Sequence, residues 1–542
     1  MLEPPSVAVA DAPTAATTGP VPDAARPGPA LDRLAWVAIT IGFVAVGALE
    51  RIWVATNPLG VLTSDGSVIG LMALHVLHHG QVPAYMWGQS YGSNLEALVT
   101  AAVFRVDGVG TGQLLGTGAV MSAGVVLAVW RAARWIVGEP AAALAALALW
   151  VWPPLFTWRS LKPGGTYLEA LVIAWCAVNA VARLRRGDDR TGLLLVLGVL
   201  SGLALWSSPM SLQLLVPAAI WCRRPLVRLG RRVWIVVAGG VLGGLPVIWF
   251  AATHRASNLW YPGQRSFLGA IAGRFGQFFW WEWPIALGGR VEGSFAWVLG
   301  PLGAAVVVAC TVGVVLVGRA VLMGRAERCR LPVLTLALLP FIFASNSLAN
   351  HVGQGRYVLF GATMGALLVG VGLENLGRTV AARCRVPAVA VFAACLAALA
   401  ALGFVALVRE PPSQLSEFPA AGAPMPAHDT ALLALVREHH VHDAFASYWL
   451  AYRLTFETQE ATLATPFSFE RYPPIYDAVA ASPHPAYLFV SASPTVARFE
   501  AWCAAHGITT TTWRDGAFAV VQPATRVLPV SVPHRVLGAP GG

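Results

Sequence analysis

Residues 183–232 read RLRRGDDRTGLLLVLGVLSGLALWSSPMSLQLLVPAAIWCRRPLVRLGRR, two apolar stretches enclosed by arginine-rich turns. The first, 191–207, approaches the roughly 20 residues that cross a bilayer core. The second, 211–222, is too short to cross upright and is expected to be tilted or partly inserted. The same alternation holds along the whole chain, in eleven apolar stretches at 34–54, 111–130, 140–158, 166–184, 191–207, 211–222, 233–252, 297–318, 332–348, 357–377 and 387–408. Every second connection between them is basic: Arg131 and Arg134, then Arg183 to Arg190, Arg223 to Arg232, Arg319 to Arg330 and Arg378 to Arg385, eighteen arginines in all. Short loops rich in Lys and Arg stay in the cytoplasm, so the N-terminus is expected inside and the C-terminal region outside.

Composition agrees. With 56% hydrophobic residues, 12% charged and a mean hydropathy of +0.63, the chain is not an ordinary soluble enzyme. The net charge of +10 is mostly topology and calls for no nucleic acid. Residues 1–33, rich in Pro and Ala, read as a disordered cytoplasmic tail rather than a signal peptide. The expected fold is an all-α polytopic membrane domain over 34–408, with external loops 55–110 and 253–296 and a small external α/β domain over 409–542. Of seven cysteines only Cys503 would be exported, so that domain has no internal disulfide.

The unusual sequence lies on the outward side. After Ser64-Asp65, the residues Val68, Leu71, Met72, Leu74, His75 and Leu77 form a helical stripe, and Ser64 or Asp65 can cap it. Asn94 to Phe104 reads as an interfacial helix headed by Glu96. As a cap, Asp65 needs no further role, and Glu96 can simply snorkel; an acid beside hydrocarbon is costly enough to favour a functional reading.

The run Ser64-Asp65, Gly70-Leu71-Met72-Ala73-Leu74-His75, Pro83, Trp87-Gly88-Gln89, Tyr91-Gly92 and Leu95-Glu96 resembles the first external loop of bacterial glycosyltransferases with the GT-C fold, the superfamily of protein O-mannosyltransferases and lipid A aminoarabinose transferases. The resemblance continues in Lys162-Pro163-Gly164-Gly165-Thr166-Tyr167, Gly355-Arg356-Tyr357 and Tyr448-Trp449-Leu450-Ala451-Tyr452-Arg453-Leu454-Thr455-Phe456. It implies a sugar donor linked to polyprenyl phosphate, a glycan, lipid or protein acceptor on the outer face of a bacterial plasma membrane, and inversion at the anomeric carbon. The family commonly carries an acidic pair in this loop. Here the second position is Gly66, so Asp65 alone is carried over.

Such transfer needs a carboxylate to take the acceptor proton, for which Asp65 is the candidate with Glu96 as second acid. Fixed cations must stabilise the departing lipid phosphate, and Lys162, Arg356 and Arg159 are the outward candidates, with Arg255, Arg265, Arg274 and Arg290 in the long loop behind them. His75, Gln89, Tyr91, Tyr167, Tyr357 and Glu282 are candidates to contact substrate; the segment Phe278-Phe279-Trp280-Trp281-Glu282-Trp283 suits either a membrane interface or a sugar-stacking wall. No cofactor is indicated. His75, His78 and His79 can be aligned with a divalent metal, but no acidic cluster accompanies them. No glycine fingerprint for a nucleotide occurs, and Gly239-Gly240 and Gly243-Gly244 read as close helix packing.

In the external tail, 430–439 and 493–506 read as helices and 487–490 and 517–521 as strands. Its aromatic run at Tyr448 is expected to dock on the membrane domain, or else to form the tail's own core. A transporter of lipid-linked saccharides and a catalytically inactive relative acting in envelope assembly are the alternative functions. A transporter is expected to place polar groups at mid-membrane and to show repeated halves, and neither pattern is visible.

Overall fold

The computed structural model describes residues 29–255, 257–258, 271–292, 296–345, 353–409, 426 and 428–538. The N-terminal tail up to residue 28, Arg265 and Pro411-Pro412 lie outside the described residues. All eleven apolar stretches contain helix, but the helices are unequal. Six are long and apolar enough to cross a membrane: Arg33–Thr56, Thr111–Ile136, Pro301–Leu322, Glu327–Ser345, Gly355–Cys384 and Ala388–Val408. The chain is a multi-pass membrane protein.

Proline accounts for two departures from the expected spans. The stretch read as 140–158 stops at Val151 and resumes as the short helix Pro154–Arg159, because Pro153 and Pro154 cannot donate to the preceding turn. The stretch read as 233–252 bends by 55° between Gly230–Gly243 and Leu245–Thr253, with Pro246 in the first turn of the second piece. The short stretch is the ten-residue helix Leu212–Trp221, about 15 Å long at roughly 1.5 Å per residue and preceded by the 3-10 turn Pro209–Ser211, and it returns the chain to the end where Arg185 donates to the Trp221 carbonyl. Leu168–Arg185 completes the bundle, with Glu169 in its first turn and Arg183 and Arg185 in its last.

Glycines bring Thr191–Ser207 and Val233–Gly243 into backbone contact. A Cβ on Gly198 would lie 2.1 Å from the Val236 carbonyl oxygen, one on Gly202 2.3 Å from that of Gly240, and one on Gly243 2.1 Å from that of Val199. Backbones can approach this closely only where side chains are missing.

In the long loop after the first span, Thr63 rather than Ser64 or Asp65 caps the helix Ser64–His79, its hydroxyl accepting from the Gly66 amide at 3.2 Å. Asp65 therefore occupies the first turn, beside the positive end of the helix. Leu95–Asp107 forms the second loop helix. The C-terminal region carries a five-stranded sheet of β1 (Asp443–Ala446), β2 (Leu463–Pro466), β3 (Ala486–Val490), β4 (Thr510–Asp515) and β5 (Phe518–Pro523) in the order β2-β1-β3-β5-β4. The first three are parallel and β5 is antiparallel to both neighbours.

Tail and first loop share a core. Val68, Leu71 and Met72 of the loop helix and Phe104 pack in one cluster with Tyr452, Phe456 and Tyr487 of the tail. Gly70 leaves the space that the Phe456 ring fills, since a Cβ there would come within 2.4 Å of it. The helix Tyr448–Glu457 thus has two apolar faces: Tyr452 and Phe456 face the loop, whereas Leu450, Ala451 and Leu454 belong to the tail's own core.

The glycine contact generates a stability prediction. Gly202→Ala should destabilise the folded protein by about 1–3 kcal/mol, the cost of overpacking a tight contact, while Gly240→Ala, whose Cβ has no neighbour nearer than 3.8 Å, should be close to neutral. Denaturant titration of the purified variants in detergent measures both, and equal losses would contradict the packing argument.

Candidate functional site

Two loops meet glycine to backbone. Gly164 has φ +96°, and a Cβ on it would come within 2.4 Å of the Asp65 carbonyl carbon. Gly66 faces the same loop, where a Cβ would approach Pro163 Cγ and Leu62 Cδ1 at 2.9 Å. A side chain at Gly66, the position of the second acid in the resembled family, would have to displace Leu62 or Pro163.

This contact gathers the candidate residues. Asp65, Arg159, Lys162, Tyr167 and Arg356 line one cavity, together with Thr63, Trp158 and Gly164. Its volume is about 30 Å³, close to the share of one water molecule. Lys162 Nζ donates to the Val61 carbonyl at 2.6 Å, and buried Arg159 is paired with buried Glu292. Arg356 extends one nitrogen to the Tyr357 hydroxyl at 3.3 Å.

The tail contacts the same acid. Arg471 Nη2 lies 3.0 Å from Asp65 Oδ1, the Tyr448 hydroxyl donates to the same oxygen, and Arg471 Nε donates to the Tyr448 hydroxyl at 3.0 Å. Ser64 donates to the Tyr448 carbonyl. Burial and the adjacent Asp65 carboxylate push the Tyr448 phenol up, so it stays a donor. Burial acts to lower the Arg471 pKa, but Asp65 and Tyr448 more than offset it, and the guanidinium stays charged. With its amide oxygen turned to the guanidinium, Gln89 accepts from Arg471 at 2.6 and 3.0 Å.

The remaining candidates lie around the cavity rather than in it. Glu96 is buried behind the Gly164 loop, its Oε2 accepting from the Gly164 amide at 3.0 Å, and burial pushes its carboxyl up to about 7. Glu282 is buried and accepts from the Gly353 amide at 2.8 Å, just before Arg356; burial pushes it up to about 8. His75 lies 2.8 Å from Glu460 of the tail, whose hydrogen bond raises its pKa, and packs edge-on against Trp87 and Tyr472, which stack on each other at 3.9 Å. Tyr91 is near enough to Tyr167 and Arg471 to act on both electrostatically. Among the long-loop arginines, Arg274 is buried and donates to the Ala344 carbonyl at 3.0 Å, and Arg290 lies over Trp297 and Trp281 at 4.2 and 4.5 Å. In the aromatic segment, Phe279 and Trp280 are exposed and Phe278 and Trp283 buried. Among the described residues no group of three His, Cys, Asp or Glu is arranged to hold a metal.

Sequence reasoning singled out Tyr448 only as docking surface and did not find Arg471. Tyr448 opens the aromatic run quoted above, so a signal existed; Arg471, in the turn before Pro473-Pro474, has no local pattern that marks it.

No family model matches the sequence, and no curated protein matches it. Among solved structures the chain is similar to the aminoarabinose transferase ArnT of Cupriavidus metallidurans. Against the apo state the TM-score is 0.60 at 12% identity, covering 91% of this chain and 98% of that one. Against ArnT bound to undecaprenyl phosphate it is 0.59 at 13% identity, covering 89% and 97%. At such identity the likeness is one of architecture: the protein has the GT-C fold.

The environment of Glu96 fixes a pH dependence. Its folded carboxyl binds a proton more tightly than an ordinary glutamate, with a pKa of about 7 against 4.5, so the folded protein holds more protons between those values. Stability therefore falls as pH rises through that window. Glu96→Gln keeps an acceptor for the Gly164 amide and should flatten the fall, as read from melting temperature against pH; an unchanged slope would show that Glu96 is already charged.

Proposed function

We propose that this protein is an integral-membrane glycosyltransferase that moves a sugar from a polyprenyl-phosphate carrier to an acceptor hydroxyl. The observation that carries the reading is the convergence of Asp65 with Lys162, Arg159 and Arg356 on one cavity of a GT-C fold. A structure of similar architecture, ArnT, has undecaprenyl phosphate bound, which supports a lipid phosphate as the carrier here.

In this reading the three cations hold the donor phosphate. Asp65 takes the proton as the acceptor oxygen attacks the anomeric carbon, the carbon–oxygen bond to phosphate breaks, and its electron pair leaves with the polyprenyl phosphate. Configuration inverts because attack and departure are on opposite faces. The cations act where charge develops, on the leaving phosphate. Tyr167 and Tyr91 are placed to contact the sugar, and Glu96, Glu282 and Tyr357 shape the loops that present the cations. Gln89 and His75 serve by seating the tail, while Arg471 and Tyr448 orient Asp65. About 30 Å³ does not admit a sugar, so donor binding requires the cavity to widen.

Asp65→Asn retains shape and loses the charge. Turnover with a polyprenyl-phosphate sugar should drop by about 10²–10⁴-fold while donor binding persists, and Arg471→Gln should lower turnover by a smaller factor. Normal turnover in Asp65→Asn would reject the assignment.

We further propose that the N-terminus is cytoplasmic and the C-terminal region external, in a bacterial plasma membrane, because the eighteen arginines fall on one set of connections. Reporters fused after Arg232 and after Arg409 should report opposite sides of the membrane. Both on one side would overturn it.

A further inference from the structure

A second cavity, of about 810 Å³, opens at the other end of the bundle. Leu168–Arg185 connects the two: it begins next to Tyr167, which lines the Asp65 cavity, and ends on Arg185, which lines this one. Its 18 residues put them about 27 Å apart at roughly 1.5 Å per residue. Five arginines surround the second cavity: Arg185, Arg223, Arg224, Arg319 and Arg330. Its walls are apolar, built from Val314, Gly318 and Leu322 on one helix and Val333 and Ala337 on the next.

Among the described residues little of the charge there is paired with acids. Arg330 pairs with Glu327 at 3.0 Å, and Arg185 donates to the Trp221 carbonyl at 2.8 Å and lies 4.5 Å over that indole. The nearby aspartates are committed to other arginines, Asp188 to Arg183 and Arg190 and Asp189 to Arg232. Arg223, Arg224 and Arg319 are exposed. The wall continues outward through Val315 and Leu322, which are 65% and 90% exposed, so the cavity opens sideways on the flank of the bundle.

Five guanidinium groups at a span end, above an apolar slot that opens sideways, match a ligand with an anionic head and hydrocarbon chains. A water-soluble anion does not use the wall, and a neutral lipid does not use the arginines. We propose that this cavity binds an anionic phospholipid of the surrounding membrane, its phosphate among Arg223, Arg224 and Arg319 and an acyl chain along Val314, Gly318 and Val333. The site is independent of the proposed transferase chemistry at Asp65.

The test uses the purified full-length protein and native mass spectrometry with phosphatidylglycerol, phosphatidylcholine or undecaprenyl phosphate added. Phosphatidylglycerol should be retained roughly tenfold or more over phosphatidylcholine, and the triple variant Arg223→Gln, Arg224→Gln, Arg319→Gln should lose that preference. Ala337→Trp fills the slot without touching charge and should lose it too, which keeps the test decisive if the triple variant fails to fold. Arg228→Gln with Arg231→Gln, nearby but outside the cavity, should retain it. Equal retention of the two phospholipids, retention of the preference in both cavity variants, loss in the outside pair, occupancy by undecaprenyl phosphate alone, or a lipid-independent dimer through this face would each overturn the proposal.

Discussion

The candidate site depends on one steric fact, the contact of Gly164 with the backbone of Asp65 and Gly66. With φ at +96° and space for no Cβ, Gly164 lets two connections from different parts of the bundle touch main chain to main chain. Everything charged in the cavity is arranged about that contact. Lys162, two residues before it, reaches back to the Val61 carbonyl, and Glu96 supports it from behind through the Gly164 amide. Without it the carboxylate and the cations would belong to separate loops and their fields would be screened by water.

The tail completes the site through one acid. Asp65 sits at the start of a helix whose other residues, Val68, Leu71 and Met72, are buried against the tail, so the same helix offers its polar end to Arg471 and its apolar face to Phe456. The apolar seam is non-directional and holds the two regions together. The polar end is directional and sets the orientation of the carboxylate.

Much of this was legible in sequence because it follows from short-range rules. Hydropathy marked the apolar helices and paired glycines marked the tight crossing, whereas the grouping of Ser64-Asp65 with Lys162-Pro163-Gly164 and Gly355-Arg356 came from the resemblance to a known family and not from any local rule. What was missed has long-range causes. Thr63, Ser64 and Asp65 are all capping residues in a row, and only the fold selects Thr63. Pro153 and Pro246 were visible but lay inside apolar windows that read as continuous. Glu96 reads as an acid facing a cavity until the burial of the Gly164 loop above it is known. β1 and β2 have four residues each, too few to show a period, and β4 is largely polar.

The early end of one helix makes the cavity possible. Glu139–Val151 has 13 residues, about 20 Å of helix against a hydrocarbon core of roughly 30 Å, yet it costs nothing in mismatch because it is buried within the bundle. The lipid-facing helices carry the length requirement instead: Pro301–Leu322, Ala388–Val408 and Arg33–Thr56 have only 11%, 33% and 28% of their apolar windows buried. The chain from Trp152 to Tyr167 therefore folds within one end of the bundle rather than beyond it, which is why Arg159 and Lys162 are buried on a connecting segment. Charges in that position are tolerated only with partners, and Glu292 and the Val61 carbonyl supply them. Interrupting an interior helix, where no lipid senses its length, lets the protein bury a cluster of cations within the bundle.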